Sequence, residues 1–272
     1  MSTNRSLQQS RSQTAAAANR LEVAAADCAP CQPVRNELGE SNIEAAYAVQ
    51  QLLTDRRVAS GAVIVGRKIG LTSVAVQTQL GVSRPDFGML FDDMDVSDLA
   101  MVPSHRLLQP KAEAEIAFLL ASDLVDGDLD VAQVRSAVLR AAAAIEIVDS
   151  RIANWDISIT DTVADNASSG MYVLGDWWVT LDEFEPRDVT MQLFANGELV
   201  SEGTGAACLG DPLEALAWLA RTARDYGHPL RAGQVILSGA LGPMVPTPPG
   251  TRIRAELSTL GTVTATFSKD NS

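Results

Sequence analysis

The fold of this chain is decided by the stretch Lys111-Ala112-Glu113-Ala114-Glu115-Ile116-Ala117-Phe118-Leu119-Leu120. Apolar residues occupy every second position from 112 to 118, which is typical of a β-strand with one face on the core. Glu113 and Glu115 then share the opposite face, about 7 Å apart at a rise of roughly 3.3 Å per residue. Neighbouring carboxylates repel unless a cation lies between them, and a hard divalent ion prefers oxygen ligands. The stretch predicts either a metal-binding strand or a solvated face on which Lys111 pairs with Glu113.

A third carboxylate favours the metal site. Glu146 lies within the apolar segment Ala-Ala-Ala-Ala-Ile-Glu-Ile-Val at 141–148. A solvated surface would not be so apolar, and a buried glutamate without a partner is costly. Glu146 therefore needs a proton, a cation or a metal ion beside it.

Apolar spacing predicts three helices around this region. The first covers 41–57 and opens with the capping-box spacing of Ser41 and Glu44. The second covers 130–144, and the third covers 211–224 and opens with an Asp-Pro pair.

The rest of the chain is strand-like. Residues 189–199 alternate around Asn196-Gly197, which predicts a type I′ hairpin. Few strands are separated by full crossover helices, so we expect a mixed α+β fold rather than a doubly wound parallel sheet. Short apolar or alternating runs predict further strands at 61–66, 112–120, 171–181, 233–239 and 251–267.

Composition excludes some classes of function. The 272 residues are 46% hydrophobic, which is enough for a full core. The net charge of −13 argues against nucleic acid as a partner, since phosphate binding needs a basic surface. The longest apolar runs are far shorter than the roughly 20 residues of a membrane span. An anionic substrate would need local positive charge from a metal or from particular lysine and arginine residues.

The N-terminal segment and the cysteines suggest no chemistry. Residues 1–32 are rich in Ser, Gln, Arg and Ala, and we expect a disordered leader. Cys28, Cys31 and Cys208 are too few for a disulfide framework, which suits a reducing cytosol. No second pair of ligands completes a zinc site with Cys28-x-x-Cys31.

Several motifs, taken together and in this order, resemble the fumarylacetoacetate hydrolase superfamily. The similarity is greater to its branch of 2-keto-4-pentenoate hydratases and 4-oxalocrotonate decarboxylases, and it covers about residues 33–267. The motifs are Gly66-Arg67-Lys68-Ile69-Gly70-Leu71-Thr72-Ser73, Phe87-Gly88-Met89-Leu90, Glu113-x-Glu115, Ile145-Glu146-Ile147-Val148-Asp149-Ser150-Arg151 and Asp165-Asn166-Ala167-Ser168-Ser169-Gly170.

The resemblance implies a mixed β-roll or sandwich of the fumarylacetoacetate hydrolase type with peripheral helices. It implies a single catalytic domain over 33–272, with a helical part at about 33–60 and the core at about 61–272. It also implies that Mg²⁺ or Mn²⁺ is the cofactor. The implied metal ligands are Glu113, Glu115 and Glu146.

The resemblance also assigns the remaining site residues. Lys68 and Asp86 are the implied catalytic residues. Leu71, Asn166, Ser168, Ser169 and Ser238 are implied on the substrate side. From the residues alone, Lys68 could be a surface lysine beside a turn, although its ammonium would offset the −1 left by three carboxylates and one divalent cation. Asp86 follows a proline, so it could equally be a turn residue.

Other polar residues are expected to be peripheral. The acidic run Asp92, Asp93, Asp95 and Asp98 is typical of a solvated loop. His105 and His228 are expected to be structural or exposed.

The implied activity is addition of water to 2-hydroxypenta-2,4-dienoate, giving 4-hydroxy-2-oxopentanoate in meta-cleavage catabolism of aromatic compounds. The alternative is a 4-oxalocrotonate decarboxylase, whose diacid substrate needs a second cation, with Arg67, Arg84 and Arg151 as candidates. An acylpyruvate carbon–carbon hydrolase is disfavoured by the scarcity of histidine. A non-catalytic partner of an aldolase or another enzyme of the pathway remains open. We expect a cytoplasmic homo-oligomer.

Overall fold

The computed structural model of the protein describes residues 2–73, 77 and 84–269. Its strands form two sheets. The strands are β1 (Ile64–Gly70), β2 (Asp86–Phe91), β3 (Lys111–Leu120), β4 (Val138–Val148), β5 (Ser169–Val179), β6 (Thr190–Ala195), β7 (Glu198–Thr204), β8 (Val235–Leu237), β9 (Val245–Pro246), β10 (Arg252–Leu257) and β11 (Gly261–Thr266).

Helices pack around these sheets. They are α1 (Ser2–Ala26), α2 (Arg35–Leu38), α3 (Ile43–Ala59), α4 (Val131–Ala137), α5 (Ile159–Ala164) and α6 (Pro212–Asp225). Within the described ranges, no helix is both long and apolar enough to cross a membrane. The mixed α+β expectation is confirmed.

The larger sheet carries the acidic strand. Its order is β2-β1-β8-β3-β4-β5, with β9 paired to β3. Neighbours are antiparallel except β1 and β8, which are parallel. The register of β3 and β4 places Glu113 directly opposite Glu146. Two carboxylates that are distant in sequence therefore meet at one point of the sheet.

The predicted helix over 130–144 is wrong in its second half. Asp130 caps α4 by accepting a hydrogen bond from the backbone N–H of Gln133, but the helix ends at Ala137 and β4 begins at the next residue. The alanines at 141–144 are fully buried in β4, which lies between β3 and β5. Small side chains suit a central strand covered on both faces, so packing overrides the helix propensity of alanine.

The smaller sheet has the order β11-β10-β6-β7. Asn196 and Gly197 have φ of 52° and 91°, as the predicted type I′ turn requires. At Gly203 in β7, a Cβ would lie 1.8 Å from the carbonyl oxygen of Leu241. Glycine therefore lets β7 lie directly against the segment that follows β8.

Two helices agree with the sequence pattern, and the N-terminal segment does not. The helix predicted over 41–57 is α3, capped by Asn42 rather than Ser41, and the one predicted over 211–224 is α6. In place of the disordered leader expected over 1–32, the structure has helix α1, with Ala17, Ala18 and Leu21 buried.

Candidate metal centre and adjoining cavity

Three glutamates converge where β3 and β4 pair. Glu113 and Glu115 point to one face of β3, as the alternation predicts, and Glu146 reaches the same point from β4. One carboxylate oxygen from each lies within 4.8 Å of the others. Glu115 and Glu146 are almost completely buried, at 0% and 1% exposure. Lys111 does not extend from this face into solvent. Its Nζ packs over the ring of Trp155, 4.2 Å from the ring centroid.

The cluster fits a divalent cation. Among the described residues, nothing donates a hydrogen bond to Oε1 of Glu115 or Oε2 of Glu146, although both atoms are buried. Burial, together with the charge of Glu146, raises the pKa of Glu113 to about 7. Burial also raises the pKa of Glu115 and Glu146. Buried carboxylates without donors need protons or a cation, and an all-oxygen ligand set suits a hard divalent ion.

Lys68 lies against this cluster. Its Nζ is 3.1 Å from Oε1 of Glu146 and donates a hydrogen bond of 2.9 Å to the carbonyl oxygen of Ala167. Burial lowers the pKa of Lys68, but Glu146, Asp86 and the other carboxylates raise it more, so that it stays above its ordinary value. Lys68 is therefore a buried, charged ammonium rather than a surface lysine.

Asp86 lies at the start of β2 and is 2% exposed. Its Oδ2 accepts a hydrogen bond of 3.1 Å from Oγ1 of Thr162. Burial raises its pKa, while Lys68 and Thr162 lower it. Gly70 pairs with Asp86 across the strands, and a Cβ there would lie 2.2 Å from Oδ1 of Asp86. A glycine is thus required for this approach, and Asp86 is not an exposed turn residue.

A strained turn holds the far wall of the site. Asn166, Ala167 and Ser168 have φ of 54°, 53° and 52°, three consecutive residues in the left-handed region. The side chain of Asn166 accepts from the N–H of Met89 at 2.7 Å and donates to its carbonyl oxygen at 2.9 Å. At Gly88 a Cβ would lie 2.3 Å from the carbonyl oxygen of Asn166. The turn is therefore fixed to β2, and its Ala167 carbonyl oxygen accepts the hydrogen bond from Nζ of Lys68.

A cavity of about 510 Å³ adjoins the cluster. Its charged lining residues, among those described, are Lys68, Asp86, Glu113 and Glu202. Its apolar side chains include Leu71, Val148, Trp155, Ile157, Leu241 and Met244. The cavity is therefore lined both by charged residues next to a possible metal site and by apolar side chains.

The implied substrate residues fall in two places. Leu71 and Ser168 line this cavity. Asn166 and Ser169 instead line another cavity, of about 620 Å³, which does not include the three glutamates. Their polar atoms are engaged locally, since Ser169 Oγ donates to the carbonyl oxygen of Asn166 at 2.7 Å. Ser238 is fully buried, and its Oγ accepts from the N–H of Ile116, so it secures the end of β8 to β3.

The three arginines proposed as a second cation do not line the cavity. Arg67 is buried on β1 and donates to the carbonyl oxygen of Gly66, and burial lowers its pKa to about 10. Arg151 pairs with Asp165 and donates to the carbonyl oxygens around it. Arg84 is exposed.

The residues that were expected to be peripheral lie at the surface, and two residues that line the cavity were not predicted from the sequence. The acidic run at 92–98 and both histidines are exposed, as the sequence suggested. Thr162 and Trp155 line the cavity, but neither belongs to a motif or a periodic pattern. Only the tertiary structure brings them to the site.

Comparison with known proteins shows which family this chain resembles over most of its length. The fumarylacetoacetate (FAA) hydrolase C-terminal family matches residues 74–268. A "TodF product hydratase" of Pseudomonas putida is 55% identical over 87% of this chain and 88% of its own. A "2-keto-4-pentenoate hydratase" of Paraburkholderia xenovorans is 51% identical over 88% of both chains. A solved structure of 4-oxalocrotonate decarboxylase from Pseudomonas putida G7, complexed with magnesium and adipate, superposes with a TM-score of 0.90 at 35% identity, over 94% of this chain and 98% of that one.

Proposed function

The chain belongs to the fumarylacetoacetate (FAA) hydrolase family, and we propose that it is a metal-dependent hydratase of 2-hydroxypenta-2,4-dienoate, in meta-cleavage catabolism of aromatic compounds. The product is 4-hydroxy-2-oxopentanoate. The observation that carries the proposal is the cluster of Glu113, Glu115 and Glu146 beside a cavity whose wall is otherwise largely apolar. Relatives 49–55% identical to this chain carry hydratase names, which supports the same reaction.

Glu113, Glu115 and Glu146 would hold the ion, with Mg²⁺ or Mn²⁺ as the cofactor. A bound ion would supply Lewis-acid polarisation to the substrate. Three carboxylates and one divalent cation leave a net charge of about −1, and the substrate carboxylate adds another. The buried ammonium of Lys68, 3.1 Å from Oε1 of Glu146, offsets that charge.

Asp86 is the group that moves protons. Its carboxyl is buried beside the cavity, and burial raises its pKa toward the working pH, as acid–base catalysis requires. The dienol becomes a 2-oxo-3-enoate when C5 gains a proton and the C2 hydroxyl loses one. C4 is then electrophilic, so the oxygen of water bonds to C4 and C3 gains a proton.

The cavity favours a monoacid over a diacid. The similarity to 4-oxalocrotonate decarboxylase makes decarboxylation of a six-carbon diacid the second candidate reaction. Its distal carboxylate would need a second cation, yet Lys68 is the cationic side chain among the described lining residues. The sequence from Ser73 to Ser83 contains no lysine or arginine either. A neutral vinyl or alkyl end suits the apolar wall better.

Product identification by NMR tests the proposal. Metal-stripped protein is mixed with freshly generated 2-hydroxypenta-2,4-dienoate, with and without Mg²⁺. We expect 4-hydroxy-2-oxopentanoate only with Mg²⁺, no product with Glu113→Ala, and full activity with Glu198→Gln, which changes an exposed carboxylate on β7. Ketonisation at the background rate would contradict the hydratase, and carbon dioxide release from the hexenedioate would assign the decarboxylase.

We also propose that residues 33–272 form one catalytic domain and that the protein is a cytoplasmic homo-oligomer. Several large apolar side chains are exposed in the single chain, Trp177 the most at 64%. Exposed aromatic residues are enriched at interfaces between subunits. Light scattering on the purified protein gives the number of copies, and a monomer would contradict this proposal.

A further inference from the structure

A chain of hydrogen bonds leads from the buried carboxyl of Asp86 into the cavity. Oδ2 of Asp86 lies 3.1 Å from Oγ1 of Thr162, which in turn lies 3.3 Å from Oγ of Ser168. All three residues line the cavity, and each is at most 4% exposed. The three groups therefore form one continuous path between the carboxyl and the cavity.

The chemistry of the groups fixes the direction of these bonds. An ionised carboxylate only accepts, so the single hydroxyl proton of Thr162 goes to Asp86. Ser168 must then donate to Thr162, which leaves the lone pairs of its Oγ to accept from a molecule in the cavity. When a proton is on Oδ2 of Asp86, Asp86 can donate to Thr162 and Thr162 to Ser168, so that Ser168 donates into the cavity. The protonation state of Asp86 is thus passed on to Ser168.

We propose that Thr162 and Ser168 relay protons between Asp86 and the reacting molecules, an inference that rests on the proposed hydratase function. As the oxygen of water bonds to C4, water gives a proton to Ser168 Oγ, Ser168 gives its own to Thr162 Oγ1, and Thr162 gives its own to Asp86 Oδ2. The reverse sequence delivers that proton to C3. One water molecule has then been added across C3 and C4, and the three side chains return to their starting state.

The local structure keeps the relay in place. Ser168 is held in a left-handed conformation by the turn that Asn166 fixes to Met89. Left-handed residues other than glycine cost free energy and persist where the surroundings impose them, often at functional sites. Thr162 lies in α5, which places its hydroxyl between the turn and β2.

Thr162→Val tests the relay because it keeps the shape and removes the hydroxyl. We expect kcat to fall about 100-fold, the typical loss for a proton-transfer group, with little change in KM. Thr162→Ser restores the hydroxyl and should restore kcat to within about threefold of wild type. The matched control is Thr160→Val, since Thr160 is also buried in α5 but its Oγ1 has no described partner. We expect wild-type kcat from that control.

A double variant separates a relay from two independent positioning roles. Ser168→Gly removes the other hydroxyl and suits the left-handed φ, so it also serves if Thr162→Val fails to fold. In a relay the double variant is no slower than the slower single variant, because one broken link stops the transfer. A plot of the rate against the fraction of D₂O in the solvent should be curved for wild type, because several protons move together. The plot should lose that curvature in both single variants.

These measurements distinguish a failure of the proton relay from a failure of the proposed hydratase function. Wild-type kcat and unchanged curvature in Thr162→Val, or losses that multiply in the double variant, would overturn the relay while leaving the hydratase intact. If wild type forms no 4-hydroxy-2-oxopentanoate, the hydratase proposal fails and the relay fails with it.

Discussion

Gly70 leaves the space that the carboxyl of Asp86 occupies. A Cβ at this position would lie 2.2 Å from Oδ1 of Asp86 and 3.4 Å from Nζ of Lys68. Gly70→Ala must therefore displace the carboxyl of Asp86, and small displacements of a catalytic group are costly. We expect kcat to fall at least about 10-fold while the far-ultraviolet circular dichroism spectrum stays unchanged. Steady-state kinetics check this, and an unchanged kcat would show that Asp86 has room to move.

The raised pKa of Glu113 predicts how metal binding depends on pH. The pKa is about 7 in the folded protein and 4.5 for an ordinary glutamate, so the folded metal-free protein binds a proton more tightly than the unfolded chain. This contribution to stability is present below pH 4.5 and is lost as pH rises through about 7. A bound metal replaces the proton.

The increase in Tm that saturating Mg²⁺ produces should therefore be larger at pH 8 than at pH 6. Thermal melts with Mg²⁺ and with a chelator measure it at each pH. Glu113→Gln is the control, because it should lose most of the Mg²⁺ effect at both pH values. An equal increase at the two pH values would contradict the assignment of Glu113 as a ligand.

Residues whose placement follows from strand spacing were predicted correctly from the sequence. Alternation placed Glu113 and Glu115 on one face, and the structure shows them there. The role of Asn166 stays a prediction: its motif implies a substrate contact, and in the structure its amide is hydrogen-bonded to the main chain of Met89. Only the tertiary structure reveals that the amide side chain of Asn166 pairs with the backbone N–H and carbonyl of Met89, where another backbone segment would otherwise pair.

Among the elements, α1 and β4 departed from expectation for related reasons. Both bury several alanines, and alanine contributes little apolar area and gives a weak periodic signal. In α1 the buried positions include Ala17, Ala18 and Leu21. In β4 the alanine run has high helix propensity, yet pairing with β3 and β5 makes it a strand. Elements with large periodic side chains or clear caps, such as α6, were predicted well.

The packing of α1 can be tested with one pair of substitutions. Leu21 is 2% exposed and Val23 is 57% exposed on the same helix. Leu21→Ala should lower the free energy of unfolding by about 2–4 kcal/mol, and Val23→Ala should change it by less than about 0.5 kcal/mol. Chemical denaturation measures both values. Equal effects would mean that α1 does not bury Leu21 in solution.

For the whole molecule, the cavity depends on both sheets. Lys68, Asp86 and Glu113 come from the larger sheet, whereas Glu202 and Thr204 come from β7 of the smaller one. An overall charge of −13 opposes the binding of an anionic substrate. Selectivity for such a substrate therefore depends on local charges inside the cavity.

The apolar wall predicts discrimination between monoacid and diacid substrates. We expect kcat/KM for 2-hydroxypenta-2,4-dienoate to exceed that for the hexenedioate by at least about 100-fold, because a second carboxylate would be desolvated without a cation. Met244 lines the cavity and is 36% exposed, so Met244→Lys can place an ammonium there. That variant should reduce the preference about 10-fold. Equal kcat/KM values for the two acids in wild type would contradict the monoacid assignment.

The position of the bound metal ion tests the proposed metal centre. Crystals soaked in Mn²⁺ would show the ion by anomalous scattering. We expect one strong peak among the carboxylate oxygens of Glu113, Glu115 and Glu146, at about the 2.0–2.3 Å typical of metal–oxygen bonds, and no such peak in Glu146→Gln. A peak at the acidic run near Asp93 instead, or none at the three glutamates, would contradict the metal centre and the hydratase mechanism built on it.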